Sequence, residues 1–177
     1  MEFKLARKSK LIILMSLGLT FFCQQHAFAA DSTINITANI VASPCTPETV
    51  KNVVIPAINA TTLASPGSWS SSTSFTIELT NCPATTTSVV STYAGTAMTE
   101  TPSLFAGTGT AKNVGAQLKV GGTGTVLSNG SSQTTAVNAT THTASVKHDV
   151  FILNGSKTAA VTPGTFSSTI SVTFTYK

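Results

Sequence analysis

Apolar and polar residues alternate with a period of two along most of the chain, and no stretch keeps a helical period of 3.6 for three turns. Over residues 32–42, Ile34, Ile36, Ala38, Ile40 and Ala42 share one face, with Thr33, Asn35, Thr37 and Asn39 opposite. Near the other end Phe166, Ser168, Ile170, Val172, Phe174 and Tyr176 share a face, with serine and threonine between them. Such alternation puts one row of side chains into a core and the next into water, so it demands a sheet. Further strands are expected at 50–55, 75–79, 89–93, 104–105, 114–120 and 146–153. Turns are expected at Pro66-Gly67, Gly107–Gly109, Gly121-Gly122, Asn129-Gly130 and Asn154-Gly155. A composition heavy in Thr, Ser, Ala, Val and Gly agrees. The expected fold is all-β, an immunoglobulin-like β-sandwich, with a closed barrel as the alternative.

Lys4, Arg7, Lys8 and Lys10 precede an apolar run at 11–22, and Ala27-Phe28-Ala29 then places small residues at −3 and −1 of a cleavage site. Residues 1–29 therefore read as a cleaved secretory signal peptide. The run of about twelve apolar residues is short of the roughly twenty that span a bilayer. Cys23 follows Phe21-Phe22, which lack the small residues expected before a lipidated cysteine. The full chain carries a formal +4, but residues 30–177 hold six lysines against five acids and no arginine. Without a basic patch, nucleic acid is not an expected partner.

Cys45 and Cys82 remain in the exported part, and an even pair in an oxidising compartment reads as a disulfide. On a chain-entropy estimate, closing that loop stabilises the fold by roughly 4 kcal/mol. Two free buried thiols are the alternative. No metal site is expected, because His142 and His148 lack ligand spacing. No serine sits in a nucleophile-elbow motif and no glycine run has phosphate-loop spacing, so no catalytic or cofactor-binding residue and no small-molecule substrate is assigned. His148-Asp149 reads as a solvated strand edge.

The order and spacing of several segments resemble type 1-like fimbrial subunits of the chaperone–usher class. Ala30-Asp31-Ser32-Thr33-Ile34, the alternating segment and Cys45 resemble that family's N-terminal extension. Phe75-Thr76-Ile77-Glu78-Leu79-Thr80-Asn81-Cys82 resembles the strand carrying its second cysteine. Asn113-Val114-Gly115-Ala116-Gln117-Leu118 resembles its mid-domain motif, and Pro163-Gly164-Thr165-Phe166 with penultimate Tyr176 resembles its C-terminal pattern. The resemblance implies a sandwich lacking its last strand and completed by donor-strand exchange. Residues 30–44 would be a donor extension and 45–177 the pilin domain. Ile34, Ile36, Ala38, Ile40 and Ala42 would fill a neighbour's groove, Ala38 standing where such strands usually carry glycine. Gly164, Phe166, Ile170, Val172, Phe174, Tyr176 and Lys177 would form the acceptor groove and be read by a periplasmic pilus chaperone, the Lys177 carboxylate by analogy as its anchor. An outer-membrane usher and other pilin subunits are the further implied partners.

The function implied is a structural, non-enzymatic subunit of a fimbrium, exported through the periplasm to the cell surface, where the fibre supports adhesion. The alternative is a tip adhesin or receptor-binding module. It is disfavoured because an adhesin of this family carries a lectin domain ahead of the pilin domain, and about sixteen residues precede Cys45 here. A secreted immunoglobulin-like enzyme or inhibitor is more remote, for want of convergent polar groups.

Overall fold

The alternation resolves into two antiparallel sheets with a shared core, in a computed structural model that describes residues 37–38, 44–49 and 51–177. The strands are β1 (Thr46–Pro47), β2 (Thr73–Thr80), β3 (Ser88–Ala94), β4 (Val114–Val120), β5 (Val126–Leu127), β6 (Ser132–Ala136), β7 (Ala144–Asn154) and β8 (Ser171–Tyr176). One sheet runs β1-β2-β7-β4-β5 and the other β6-β3-β8. All these strands belong to the unit Ile40–Lys177. The sandwich, not the barrel, is the observed form.

β7 is the centre of the larger sheet, and its Ala144, Val146, His148, Val150, Ile152 and Asn154 are all buried. Ile77 and Leu79 of β2 and Val114, Ala116 and Leu118 of β4 extend the same inner face. From the smaller sheet, Tyr93 joins Phe105, Leu118 and Ile152 in one cluster. Val89 joins Leu79, Val146 and the two cysteines in a second. Each fully buried aliphatic or aromatic side chain contributes roughly 1.5–3 kcal/mol, so the two clusters account for why a chain this rich in Ser and Thr folds. Cys45 and Cys82 are bonded, with Cα atoms 4.2 Å apart. They join the start of β1 to the end of β2, next to the register pair Thr46↔Thr80.

Three expectations need correction. His148 does not lie on a solvated edge: it is 1% exposed, stacked on Phe75 with ring centroids 4.9 Å apart and edge-on to Tyr93 at 5.4 Å. Its inward position follows from the same period-two register that buries Val146 and Val150. Residues 104–105 form isolated bridges, Phe105 to Ala97 and to Ala116, without a strand of their own. Residues 51–55 form no strand either, although Val53 and Ile55 are half-buried and Val54 is 84% exposed. Three strands were not expected: β1 and β5, of two residues each, and the longer β6. The β6 sequence Ser-Gln-Thr-Thr-Ala has no apolar alternation, and it is held by pairing along its length with β3.

Candidate functional site: the open edge of the terminal strand

The terminal run keeps its alternation in three dimensions. From Phe166 to Tyr176 every even-numbered residue is half-buried and every odd-numbered one exposed, although ladder pairing begins only at Ser171. Before that point the chain is laced to the 108–112 segment instead. Thr165 N–H donates to Thr110 Oγ1 at 3.0 Å, Thr110 N–H donates back to Thr165 Oγ1 at 3.2 Å, and Ser167 N–H donates to Thr108 O at 2.9 Å. Gly164 is what allows this approach. A Cβ there would lie 2.7 Å from the Thr110 carbonyl carbon, closer than real side chains come.

β8 pairs with β3 along one side, and among the described residues no strand pairs with its other side. Lys177 and Ser88 exchange both main-chain hydrogen bonds, at 2.9 and 3.1 Å. Antiparallel pairs alternate between bonded and non-bonded, so the N–H and C=O groups of Val172, Phe174 and Tyr176 point away from β3. Those same residues point their side chains inward. Phe166, Ile170 and Val172 pack against the first cluster, and Val172, Phe174 and Tyr176 against the second. Val53, Ile55 and Ile58 also pack against the first cluster, from a segment whose backbone (51–58) makes no main-chain hydrogen bond to another described residue.

The ends of this site are tied down by polar contacts. The Tyr176 hydroxyl donates to the Cys45 carbonyl at 3.3 Å, linking the terminal strand to the disulfide on the opposite sheet; burial pushes the phenol's pKa up. The Lys177 main-chain oxygen accepts from Thr87 N–H at 2.6 Å and Ser88 N–H at 3.1 Å. Sequence reading missed the polar group beneath β3. There the Tyr93 hydroxyl donates to Gln133 Oε1 at 3.1 Å and sits 2.6 Å from His148 Nε2. With that proton given to Gln133, the imidazole Nε2–H donates to the phenol oxygen, leaving buried Nδ1 without a partner. Burial pushes Tyr93 up to about 12 and His148 down to about 4. The signal available for it was parity alone: Tyr93 alternates with Val89 on β3, and His148 with Val146 and Val150 on β7.

The structure thus brings Gly164, Phe166, Ile170, Val172, Phe174, Tyr176 and Lys177 into one continuous edge, and joins Cys45 to Cys82. Ile34, Ile36, Ile40 and Ala42 lie outside the described residues, as does the 1–29 leader; Ala38 is exposed and outside any strand. Among the described residues no three His, Cys, Asp or Glu side chains come together as a metal site would require.

The sequence and the two-sheet fold are both matched in known proteins. Residues 34–177 match the family described as Fimbrial protein. The chain belongs to that family. This fimbrial protein is 32% identical to Protein FimG of Escherichia coli (strain K12) over 151 residues, covering 84% of this chain and 86% of FimG. Among solved structures, its fold resembles the P pilus rod subunit PapA, at TM-score 0.57 and 18% identity, over 82% of this chain and 100% of PapA. It also resembles a subunit from a chaperone–usher pilus, at TM-score 0.63 and 18% identity, over 84% and 97%. The fimbrial protein is a structural subunit of a bacterial surface fimbrium, where it associates with other pilus subunits.

Proposed function

We propose that this subunit polymerises by donor-strand exchange through the open edge of β8. The observation that carries the reading is the coincidence at Val172, Phe174 and Tyr176. Each presents free main-chain groups to the open side and a half-buried apolar side chain to the core. An added strand would satisfy both at once, as in other strand-addition complexes. Until one arrives, the edge is a hazard for uncontrolled pairing. That is the reason a periplasmic chaperone and an outer-membrane usher belong to the reading: the chaperone lends a strand and the usher oversees its replacement. The Lys177 carboxylate anchors the chaperone in this scheme.

The donor is residues 30–44, freed by removal of the 1–29 leader, with 45–177 as the acceptor domain. Ile34, Ile36, Ala38, Ile40 and Ala42 enter the neighbour's groove, whose second wall is the unpaired 51–58 segment. Burying three isoleucines at roughly 1.5–3 kcal/mol each supplies several kcal/mol, and the main-chain ladder fixes register. Donor and acceptor are separate surfaces, and that separates their tests. Ile36→Asp is expected to block addition of this subunit to the one before it while leaving chaperone binding intact. Asn35→Asp, pointing to the other face, is expected to be tolerated. Polymer formation and chaperone binding, measured side by side, check both. Loss of folding and of chaperone binding in Ile36→Asp would place that strand in its own core and end the proposal.

A further inference from the structure

The outer face of the five-stranded sheet is divided. Over one part it carries what a solvated face should: Ser74, Thr76 and Glu78 of β2, with Ser145, Lys147 and Asp149 of β7. Further along β7 the same outward row becomes Phe151 and Leu153, and Trp69 bridges to Leu153 from the adjoining segment. Trp69 is 65% exposed. An exposed indole beside two further apolar side chains is a patch that asks for a ligand or partner. The patch is also concave: Gly67, Trp69, Gln117, Lys119, Phe151 and Leu153 line a depression of about 250 Å³.

Its charge is one-sided. Lys119 Nζ lies 4.7 Å from the Phe151 ring centroid, held over the aromatic face. Asp149, its partner in register, accepts instead from the Ser74 hydroxyl at 2.5 Å. Among the described residues the one ion pair is Lys51–Glu48, so Lys119 makes none. The lining therefore offers a flat indole, one amide able to donate and accept, one cation outside any ion pair, and no acid. We propose that this depression binds a pyranose ring bearing a carboxylate. The indole takes the C–H face of the ring, Gln117 its hydroxyls, and Lys119 the carboxylate. The volume suits a single ring, being below the roughly 300–1,000 Å³ of clefts that enclose larger ligands. Repetition of a weak site along a fibre raises its avidity without any new contact. None of the lining residues lies on β8 or in residues 30–44, so the inference stands apart from strand exchange.

The chain has one tryptophan, so its fluorescence reports on this depression alone. The full chain is titrated with the methyl glycosides of glucuronic acid and N-acetylneuraminic acid, with methyl glucoside as neutral reference. A saturable change is expected with the acids, about two- to fivefold tighter than with the glucoside, as one exposed charge contact allows. The tighter of the two acids identifies the source. Lys119→Gln is expected to erase the preference for acids while keeping the weaker neutral binding. Trp69→Ala, followed by saturation-transfer NMR on the sugars, is expected to lose binding by about tenfold or more, as for an aromatic anchor. Its thermal midpoint should stay at the parent's value, because the ring is mostly outside the fold. No saturable response to either acid, an equal response to the glucoside, or unchanged binding in Trp69→Ala overturns the assignment.

Discussion

β3 and β8 lie side by side in one sheet, carry the same alternation and face the same opposing sheet, yet they are buried to different depths. Val89, Ser91 and Tyr93 are 0% exposed, while their register partners Tyr176, Phe174 and Val172 are half-buried. Residue type does not explain this, since the fully buried row includes a serine and the half-buried row a phenylalanine. Position does. β3 has β6 on one side and β8 on the other, whereas β8 has β3 alone. A side chain on an edge strand is packed along one flank and left open along the other. Among the described residues the apolar face of β8 is open along that flank, and substitutions in the two rows can be tested separately.

The largest effects belong to aromatic truncation. Tyr93→Ala empties a closed site and is expected to cost about 3–5 kcal/mol whether or not a strand has been added. Phe174→Ala is expected to cost less in the unfilled subunit, because its open flank can relax or hydrate. The cost should approach the Tyr93 value once a peptide of sequence 32–42 occupies the edge. Denaturant unfolding of both variants, with and without that peptide, checks this. If the Phe174→Ala cost does not depend on the peptide, the two rows are energetically alike and the comparison fails.

His148 of β7, which faces Tyr93 of the closed row, should carry the pH dependence. His148 is held near 4 by burial against an ordinary value near 6.5, so the unfolded chain binds a proton across that interval and the folded one does not. Its contribution is complete above pH 6.5 and is lost as pH falls from there towards 4. On the order of 3 kcal/mol is at stake. His148→Phe is expected to flatten stability over pH 4–6.5, measured by urea midpoints. A slope unchanged by that substitution would assign the acid sensitivity elsewhere.

What could be read beforehand, and what could not, divides along the same line. The period-two rows of β2, β8 and the first half of β7 were legible because one face is mostly apolar and the other Ser, Thr or charged, and that of β4 because Val114, Ala116, Leu118 and Val120 alternate with Gly, Gln and Lys. Cys45 and Cys82 were legible because export makes a pair of cysteines a bond. β6 was not, because Ser132–Ala136 is a strand through β3's ladder and not through its own pattern. His148 was misread because a titratable side chain next to an aspartate looks solvated, and only the register of β7 shows that it faces inward while Asp149 faces out. The open edge of β8 was reached through resemblance alone: periodicity says which face of a strand is buried but not how many strands flank it.

The smallest effect expected is also the closest chemical control, because the same hydroxyl can be deleted on each strand. Tyr93→Phe removes the acceptor of His148 Nε2–H, inside the core, and the donor to half-buried Gln133. A buried donor left unpaired costs about 1–3 kcal/mol. Tyr176→Phe removes one longer bond, 3.3 Å to the Cys45 carbonyl, at the half-buried end of the open strand. That change is expected to cost about 0.5–1 kcal/mol, near the lower end for a neutral hydrogen bond. Adding the 32–42 peptide should raise the Tyr176→Phe cost, by drying its surroundings, and leave the Tyr93→Phe cost where it was. Equal costs for the two deletions in the unfilled subunit would mean that the end of β8 is already as closed as β3, and that no strand is missing there.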